Sequence, residues 1–366
     1  MRILQIMAGG PQGGAEGFFE RLVPALHRRG METRAVIRRD GVRRAKLEKE
    51  SISVAELAFG GFFDFLTPLA VRREVASFAP DIVMSWMSRA AGMTPRSQTG
   101  SFVHVGRLGG YYNLKYYRTC DHLIGNTPDI VQYILDCGWP SDRAHYLPNF
   151  VDATLAPPTP RADLGVPHGV PFILALGRLH ENKAFDVLIG ALASVPGAHL
   201  VIAGEGPRRN DLKALAKDVG VTDRLHMVGW RDDVAGLFAA ADIFVCPSRH
   251  EPLGNVVIEA WAHGVPVVAA ASSGPAMLIE DGRTGRLVPV EDVEAMAETL
   301  STLLADASER EKLASAGRAQ FEERFTEERV VSQYLSFFDE VAPGGARDKI
   351  APGSARDKNA ADGGRG

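Results

Sequence analysis

The chain has 366 residues, 45% of them hydrophobic and 23% charged, with a net charge of −4. That length exceeds one ordinary core and implies two domains of about 150 residues each, and the composition excludes a disordered chain. The three cysteines, Cys120, Cys137 and Cys246, show no C-x-x-C spacing, so neither a disulfide framework nor a thiolate metal site is expected, and a reducing cytoplasm fits.

The start "MRILQIMAGGPQGG" lacks the basic region and long apolar core of a signal peptide, and no apolar run reaches the ~18 residues of a membrane span. Charge is unevenly divided. Residues 1–150 hold 19 Lys+Arg against 14 Asp+Glu and the remainder 22 against 31, which makes the halves +5 and −9. Much of the excess lies in "RRGMETRAVIRRDGVRRAKLEK", Arg28 to Lys49, a candidate for attracting an anionic surface such as phosphorylated lipid. A solvated helix and loop is the plain alternative. Nucleic acid is a poor partner, because no recognisable nucleic-acid module accompanies the charge.

Along the chain, "MRILQIM" reads as a strand and Ala15 to Arg29 as a helix burying Phe18, Phe19, Leu22, Val23 and Leu26. "TRAVIR", "DIVMSW" and "HLIGNT" follow as strands, with "NLKYYRTC" helical or irregular before the last. This alternation predicts parallel strands with crossover helices. The proline-rich stretch from Leu147 to Pro171 reads as a linker. Beyond it come the strands "FILALG", "HLVIAGEG", "LHMVGW", "IFVCPS" and "PVVAA" with helices between them. The predicted fold class is therefore α/β, two Rossmann-like units in tandem facing a cleft. The units divide at 1–155 and 156–324, followed by an amphipathic terminal helix at 325–341. The tail, 342–366, contains the repeat "APGGARDKI"/"APGSARDKN" and is expected to be disordered.

Two glutamates eight residues apart, Glu251 and Glu259, lie in "HEPLGNVVIEAWAHG". On one helix they would differ by about 80° and ~12 Å, so a shared site requires Glu251 in the loop before the helix and Glu259 inside it. Pro252 and Gly254 favour such a turn, and "NVVIEAWAHG" reads as a helix from Asn255 to Gly264. Its free N–H groups suit a phosphate. Glu259 could then take a ribose and Glu251 a sugar hydroxyl; a helix-start charge and a solvated face are the alternatives. "LGRLHENKAFDVLIGAL" adds Arg178 and Lys183 after the strand "FILAL", where the cleft should open. Paired cations there can neutralise a diphosphate that grows more negative as its sugar leaves.

The set "GGAEGF", "LPNFVD", "ALGRLHENKAFDVLIGAL", "IAGEGP", "VGWRDDVAGLFAAADIFVCPS" and "HEPLGNVVIEAWAHGVPVVA" with "GPAMLIEDGRTGRLVP" resembles the retaining glycosyltransferases of family 4, from about Met1 to Val341. Glu251 and Glu259 match the family's E-x7-E signature. The resemblance implies a GT-B fold, with the terminal helix packing back toward the first domain. It also implies a nucleoside-diphosphate sugar as donor, a saccharide or lipid-linked saccharide as acceptor, and no metal or other cofactor. By motif match Arg178 and Lys183 hold the diphosphate, Glu259 the ribose and Glu251 the donor sugar. Leu253, Gly254, Asn255 and Val256 offer backbone to phosphate or sugar, Trp230 and Arg231 lie near the base, and Gly13 and Gly14 approach the phosphates or the acceptor. An ordinary β-α turn is the alternative for those glycines, whose spacing is not G-x-G-x-x-G, which argues against a dinucleotide oxidoreductase.

Relatives often carry a histidine near the donor sugar. His104 in "FVHVGRLGGYYNLKYY" is one candidate, with a plain strand residue as its alternative. A second alignment matches Arg107 and puts Gly109 in the histidine's place. Arg107 and Lys115, near Tyr111, Tyr112, Tyr116 and Tyr117, are candidates for gripping an anionic saccharide. Ala184 stands where glycine is frequent, and Met277 where glutamate is common. "VGRLGGYYNLKYYRTCDHLIGNT" is similar to bacterial glycosyltransferases of lipopolysaccharide core assembly, which would place the chain at the inner face of the cytoplasmic membrane. A nucleotide-sugar-binding protein without transfer and a nucleotide-sugar epimerase of the same fold are the alternatives.

Overall fold

The computed structural model describes residues 1–11, 13–60, 64–97 and 100–343. Nearly all of the repeat-bearing tail thus lies outside the described residues. The first unit runs β1 (Arg2–Met7), α1 (Gly14–Arg28), β2 (Glu32–Arg38), α2 (Gly41–Lys49), β3 (Ser53–Leu57), α3 (Leu66–Phe78), β4 (Ile82–Trp86), α4 (Met87–Met93), β5 (Val103–Leu108), β6 (His122–Gly125), α5 (Pro128–Asp136) and β7 (Ala144–Tyr146). Its seven strands form one sheet in the order β3-β2-β1-β4-β5-β6-β7, every pair parallel.

The second unit runs β8 (Phe172–Leu176), α6 (Phe185–Ala193), β9 (His199–Ala203), α7 (Arg209–Asp218), β10 (Leu225–Gly229), α8 (Val234–Ala240), β11 (Ile243–Cys246), α9 (Asn255–Ala262), β12 (Val267–Ala270), α10 (Ser273–Leu278), β13 (Arg286–Val288), α11 (Val293–Ala305) and α12 (Ala307–Arg324), and the chain closes with α13 (Glu327–Val341). Its six parallel strands are ordered β10-β9-β8-β11-β12-β13. Each sheet therefore reverses its winding once, between β1 and β4 in the first and between β8 and β11 in the second. Open parallel sheets bind ligands outside the carboxyl ends of the strands at such reversals. The loops after β1, β8 and β11 hold the glycine run, Arg178 with Lys183, and Glu251 respectively.

Both sheets are covered on two faces, which explains runs such as Phe172–Leu176 with hardly a polar residue. The apolar positions expected on the first helix, Phe18, Phe19, Leu22, Val23 and Leu26, are all fully buried. β3, β5, β7 and β13 are strands that the sequence reading did not pick out; three of them are short or at a sheet edge, and β5 carries a buried His and Arg that break its apolar pattern.

The linker is tied down more than its composition suggests. Val151, Leu164 and Val166 join the core of the second unit, and Arg161 donates to the Ala240 carbonyl at 3.1 and 2.8 Å and to Asp242 at 3.0 Å. α13 returns to the first unit: Val330, Val331, Tyr334, Phe337, Phe338 and Val341 share a core with Phe18, Phe19 and Trp86. Spacings of three, four and seven residues bring them to one face of that helix.

Five cations of the basic run are paired with neighbouring carboxylates. Arg28 pairs with Glu50 and Glu327, Arg34 with Glu74, Arg43 with Glu20 and Asp40, Arg44 with Glu48 and Glu56, and Lys46 with Glu20. Arg43 is buried, and the carbonyls of Gly10 and Pro11 accept from it at 2.8 and 3.3 Å, so it braces the glycine loop. Arg29, Arg38, Arg39 and Lys49 are exposed and make no ion pair among the described residues.

Candidate functional site

The two glutamates sit as the spacing argument requires: Glu251 in the loop after β11, and Glu259 on α9 one turn in. Gly254 caps that helix at φ +81°, a left-handed conformation that a side chain would resist, and a Cβ there would meet Leu278 at 3.1 Å. Glu251 holds the turn, one carboxylate oxygen accepting from the Gly254 N–H at 3.4 Å. Its other oxygen accepts from the Lys183 ammonium, although 68 residues separate the two in sequence. Burial disfavours the charged ammonium of Lys183, yet Glu251, reinforced by Cys246 and Glu259, holds its pKa above the usual lysine value. Lys183 is therefore a fixed cation at the carboxyl end of β8. Arg178, in the same loop, is exposed and makes no ion pair among the described residues, which leaves its guanidinium available to an anion.

Glu259 faces the cleft and is half-buried. Burial pushes its carboxyl up to about 7; Arg21 and Lys183 pull it down and Glu251 adds to the rise. It lines a cavity of about 430 Å³ with Arg21, Asp152, Asp232, Asp233 and His263. Arg21 enters from α1 of the first unit, so both units build this cavity. Burial lowers the pKa of Arg21, Glu259 and Asp152 act against that, and its Nε finds no hydrogen-bond partner among the described residues. The exposed Trp230 donates to Asp232 at 3.1 Å, and Arg231 pairs with Asp233 at 2.7 and 2.5 Å. The Trp230–Arg231 loop is thus anchored to the carboxylates at the cavity's edge.

Across the cleft, Gly13 and Gly14 begin α1, and a Cβ on Gly14 would lie 3.7 Å from the Asn255 amide nitrogen. Gly9 and Gly13 are approached closely as well. The Glu16 carboxylate folds back to accept from the Gly10 N–H at 2.9 Å and occupies the space where either Cβ would go. Leu253 is buried, while Asn255 and Val256 are partly open to the cleft.

Two residues are misplaced for the roles expected of them. His104 is the second residue of β5, four residues or ~13 Å before the strand end that borders the cleft. It is fully buried, with Nε2 2.9 Å from the Ser85 hydroxyl and Nδ1 3.1 Å from the Thr119 carbonyl, and burial lowers its pKa to about 4. It is a strand residue inside the layer, not a group beside the donor sugar. Arg107 is also buried, its guanidinium 4.6 Å from the Phe18 ring and 4.7 Å from the Trp86 ring, and it donates to Tyr334 and Asn149. Bound in this way it cannot grip a saccharide. Lys115 is exposed on a short 3-10 turn with its ammonium over Tyr116.

Arg21, Glu16 and Asn149 were not singled out from the sequence. Arg21 carries a signal, a cation on a helix face otherwise apolar; Glu16 and Asn149 lie inside "GGAEGF" and "LPNFVD", where neither residue type nor spacing marks them out.

Two doubly wound domains, with an ion-paired lysine and two glutamates gathered at the switch point of the second, define the class of a GT-B glycosyltransferase. Residues 158–320 match the family model for glycosyl transferases group 1, and residues 12–155 that for glycosyltransferase family 4. The lipopolysaccharide core biosynthesis glycosyltransferase LpsE of Rhizobium meliloti (strain 1021) is 37% identical over 333 residues, covering 89% of this chain and 96% of its own. LpsD of the same organism is 35% identical over 93% of this chain and 98% of its own. The structure of Anabaena Alr3699/HepE in complex with UDP superposes with a TM-score of 0.82 at 23% identity, covering 93% of this chain and all of that one. The chain belongs to glycosyltransferase family 4.

Proposed function

We propose that this glycosyltransferase moves a sugar from a nucleoside-diphosphate sugar to a saccharide hydroxyl with retention of configuration, in assembling a cell-envelope saccharide such as lipopolysaccharide core. The observation that carries the reading is the Lys183–Glu251 pair set against the free N-terminus of α9, with Glu259 one turn further in. Lys183, Arg178 and the helix N–H groups supply fixed positive charge where a diphosphate would leave. No metal is needed for that neutralisation. Glu259, half neutral near pH 7, suits a ribose diol, to which a carboxyl can both donate and accept.

In a front-face reaction the bond from the anomeric carbon to the phosphate oxygen breaks while the acceptor oxygen bonds to the same face, and the acceptor proton passes to the departing phosphate oxygen. Glu251 then orients and stabilises and does not attack. The 35–37% identity to two lipopolysaccharide core enzymes over nearly their whole length supports the acceptor class. Peripheral contact with an anionic membrane is part of the same proposal. Its support is the start of α3, where Phe65, Leu66 and Leu69 are exposed beside the exposed Arg72 and Arg73.

A thermal-shift panel of UDP, GDP, ADP and NAD with the common sugar conjugates tests the donor class, since a ligand of the native state raises its melting temperature. One nucleoside diphosphate and its sugars should raise it. A response to NAD alone would refute the reading. Unchanged turnover in excess chelator, and a product with the anomeric configuration of the donor, are the further expected results.

A further inference from the structure

Arg107 is a buried cation whose partners form a line toward the site. The guanidinium, packed against both the Phe18 and Trp86 rings, donates Nε to the Tyr334 hydroxyl at 3.0 Å and Nη2 to the Asn149 Oδ1. Asn149 is itself buried, and its Nδ2 donates at 3.1 Å to Oδ1 of Asn255, the first residue of α9. Along this line the step toward the second unit's helix is therefore amide to amide.

The polarity of the line is dictated from its buried end. A guanidinium carries donors and no acceptor, so the Asn149 atom facing it must be the oxygen. Its –NH2 then faces Asn255, which in turn must present oxygen. What remains is the Asn255 –NH2, and this group faces the glycine loop of the first unit, where a Cβ on Gly14 would stand 3.7 Å from it. A freely turning asparagine would offer oxygen or nitrogen to the cleft with similar ease; this one is locked as a donor.

We propose that Arg107 and Asn149 are positioning residues that lock the Asn255 carboxamide with its –NH2 toward the donor diphosphate, adding a side-chain donor to the backbone N–H groups of α9. The inference rests on the donor site proposed above. It also gives the terminal helix a part in the site: Tyr334, on α13, accepts from the same guanidinium, so docking of that helix fixes the first link.

The test inverts the polarity without changing the shape. Asn149→Asp keeps an acceptor for Arg107, now as an ion pair, and turns an oxygen toward Asn255. The Asn255 –NH2 then swings to the introduced carboxylate, and the Asn255 oxygen faces the phosphates. Binding of UDP, GDP and ADP to the full chain is measured by calorimetry for wild type, N149D, N149A, N255A and the double variant N149D/N255A. For whichever diphosphate the wild type binds, N149D should lose about tenfold or more, the scale of a hydrogen bond to a charged group. N149A, which leaves Asn255 free to turn, should lose less, and N149D should cost nothing further once Asn255 is alanine.

A merely structural Asn149 gives the opposite order, since N149A empties a buried site while N149D gains a partner in Arg107; N149A at or below N149D in affinity overturns the proposal. A loss from N149D that persists in the N255A background reports direct charge repulsion and overturns it as well. Should N149D fail to fold, the N149A/N255A cycle reads the same coupling: additive losses refute the line, and a loss that vanishes supports it. Wild type that binds none of the three diphosphates refutes the donor-site reading itself, and this inference with it.

Discussion

Lys183 and Glu251 each depend on the other. Removing Lys183 leaves a mostly buried carboxylate without its cation, and removing Glu251 frees both the ammonium and the Gly254 turn. Lys183→Ala and Glu251→Ala should each lower kcat/KM at least about 100-fold, the scale of losing one fixed charge at a leaving group, and should also lower the melting temperature, because a mostly buried charge is left unpaired. Steady-state kinetics alongside calorimetry would check this, and near-normal turnover in either variant would refute the site. Glu259 makes a pH-dependent prediction. Its folded pKa of about 7 lies above the ordinary 4.5, so the folded chain holds a proton that the unfolded chain releases. The resulting destabilisation is absent below pH 4.5, grows as pH rises, and is complete above about 7. Glu259→Gln should therefore raise the melting temperature of the unliganded protein at about pH 8, by a few degrees, and leave it unchanged at about pH 4. An equal shift at both values would contradict the buried-carboxyl account. At this scale turn residues and spacing foretold the placement of Glu251 in a loop, Glu259 on the following helix, and Arg178 with Lys183 in the loop after β8. The sequence could not separate His104 and Arg107 from active groups, because burial, not identity, took them out of reach.

At the scale of elements, α9 depends on its cap. Gly254 at φ +81° lets the chain turn from the Glu251 loop into the helix, and substitution by alanine should cost about 1–2 kcal/mol from the left-handed conformation alone. Gly254→Ala should also weaken nucleotide binding beyond that stability loss, because the helix N-terminus would shift with it. Denaturant melts paired with calorimetric titration would separate the two effects; full affinity in a destabilised variant would show that the N-terminus does not meet the donor. The helices of the core were legible because an apolar stripe repeats with the helical period, as in Phe18, Phe19, Leu22, Val23 and Leu26. The short strands β7 and β13, three residues each, carry no such repeat and exist because a neighbouring strand offers them a ladder.

The whole molecule combines a basic first half with an acidic second half, but pairing decides which charges are felt. In the run from Arg28 to Lys49, Arg28, Arg34, Arg43, Arg44 and Lys46 are paired with carboxylates, whereas the start of α3 joins exposed apolar side chains to the exposed Arg72 and Arg73, which makes it the better membrane-facing candidate. Among the described residues no helix is long and apolar enough to cross a membrane. Binding to vesicles rich in anionic lipid should exceed binding to neutral ones at low salt and fall as salt rises, and Phe65→Ser with Leu66→Ser should reduce it further. Flotation at two salt concentrations measures this, and equal binding to neutral vesicles would discard electrostatic recruitment.

The sequence by itself determined the two α/β units, the proline-rich join between them and the turn that puts Glu251 before the helix of Glu259, because periodicity and turn residues are local properties that each segment carries alone. Only the tertiary structure decided which side chains meet. It joined Lys183 to Glu251 across 68 residues, brought Arg21 from the first unit to the cavity of Glu259, and buried His104 and Arg107. Those outcomes depend on strand order and on which face a residue turns inward, and both are settled only when the sheets and the terminal helix pack together.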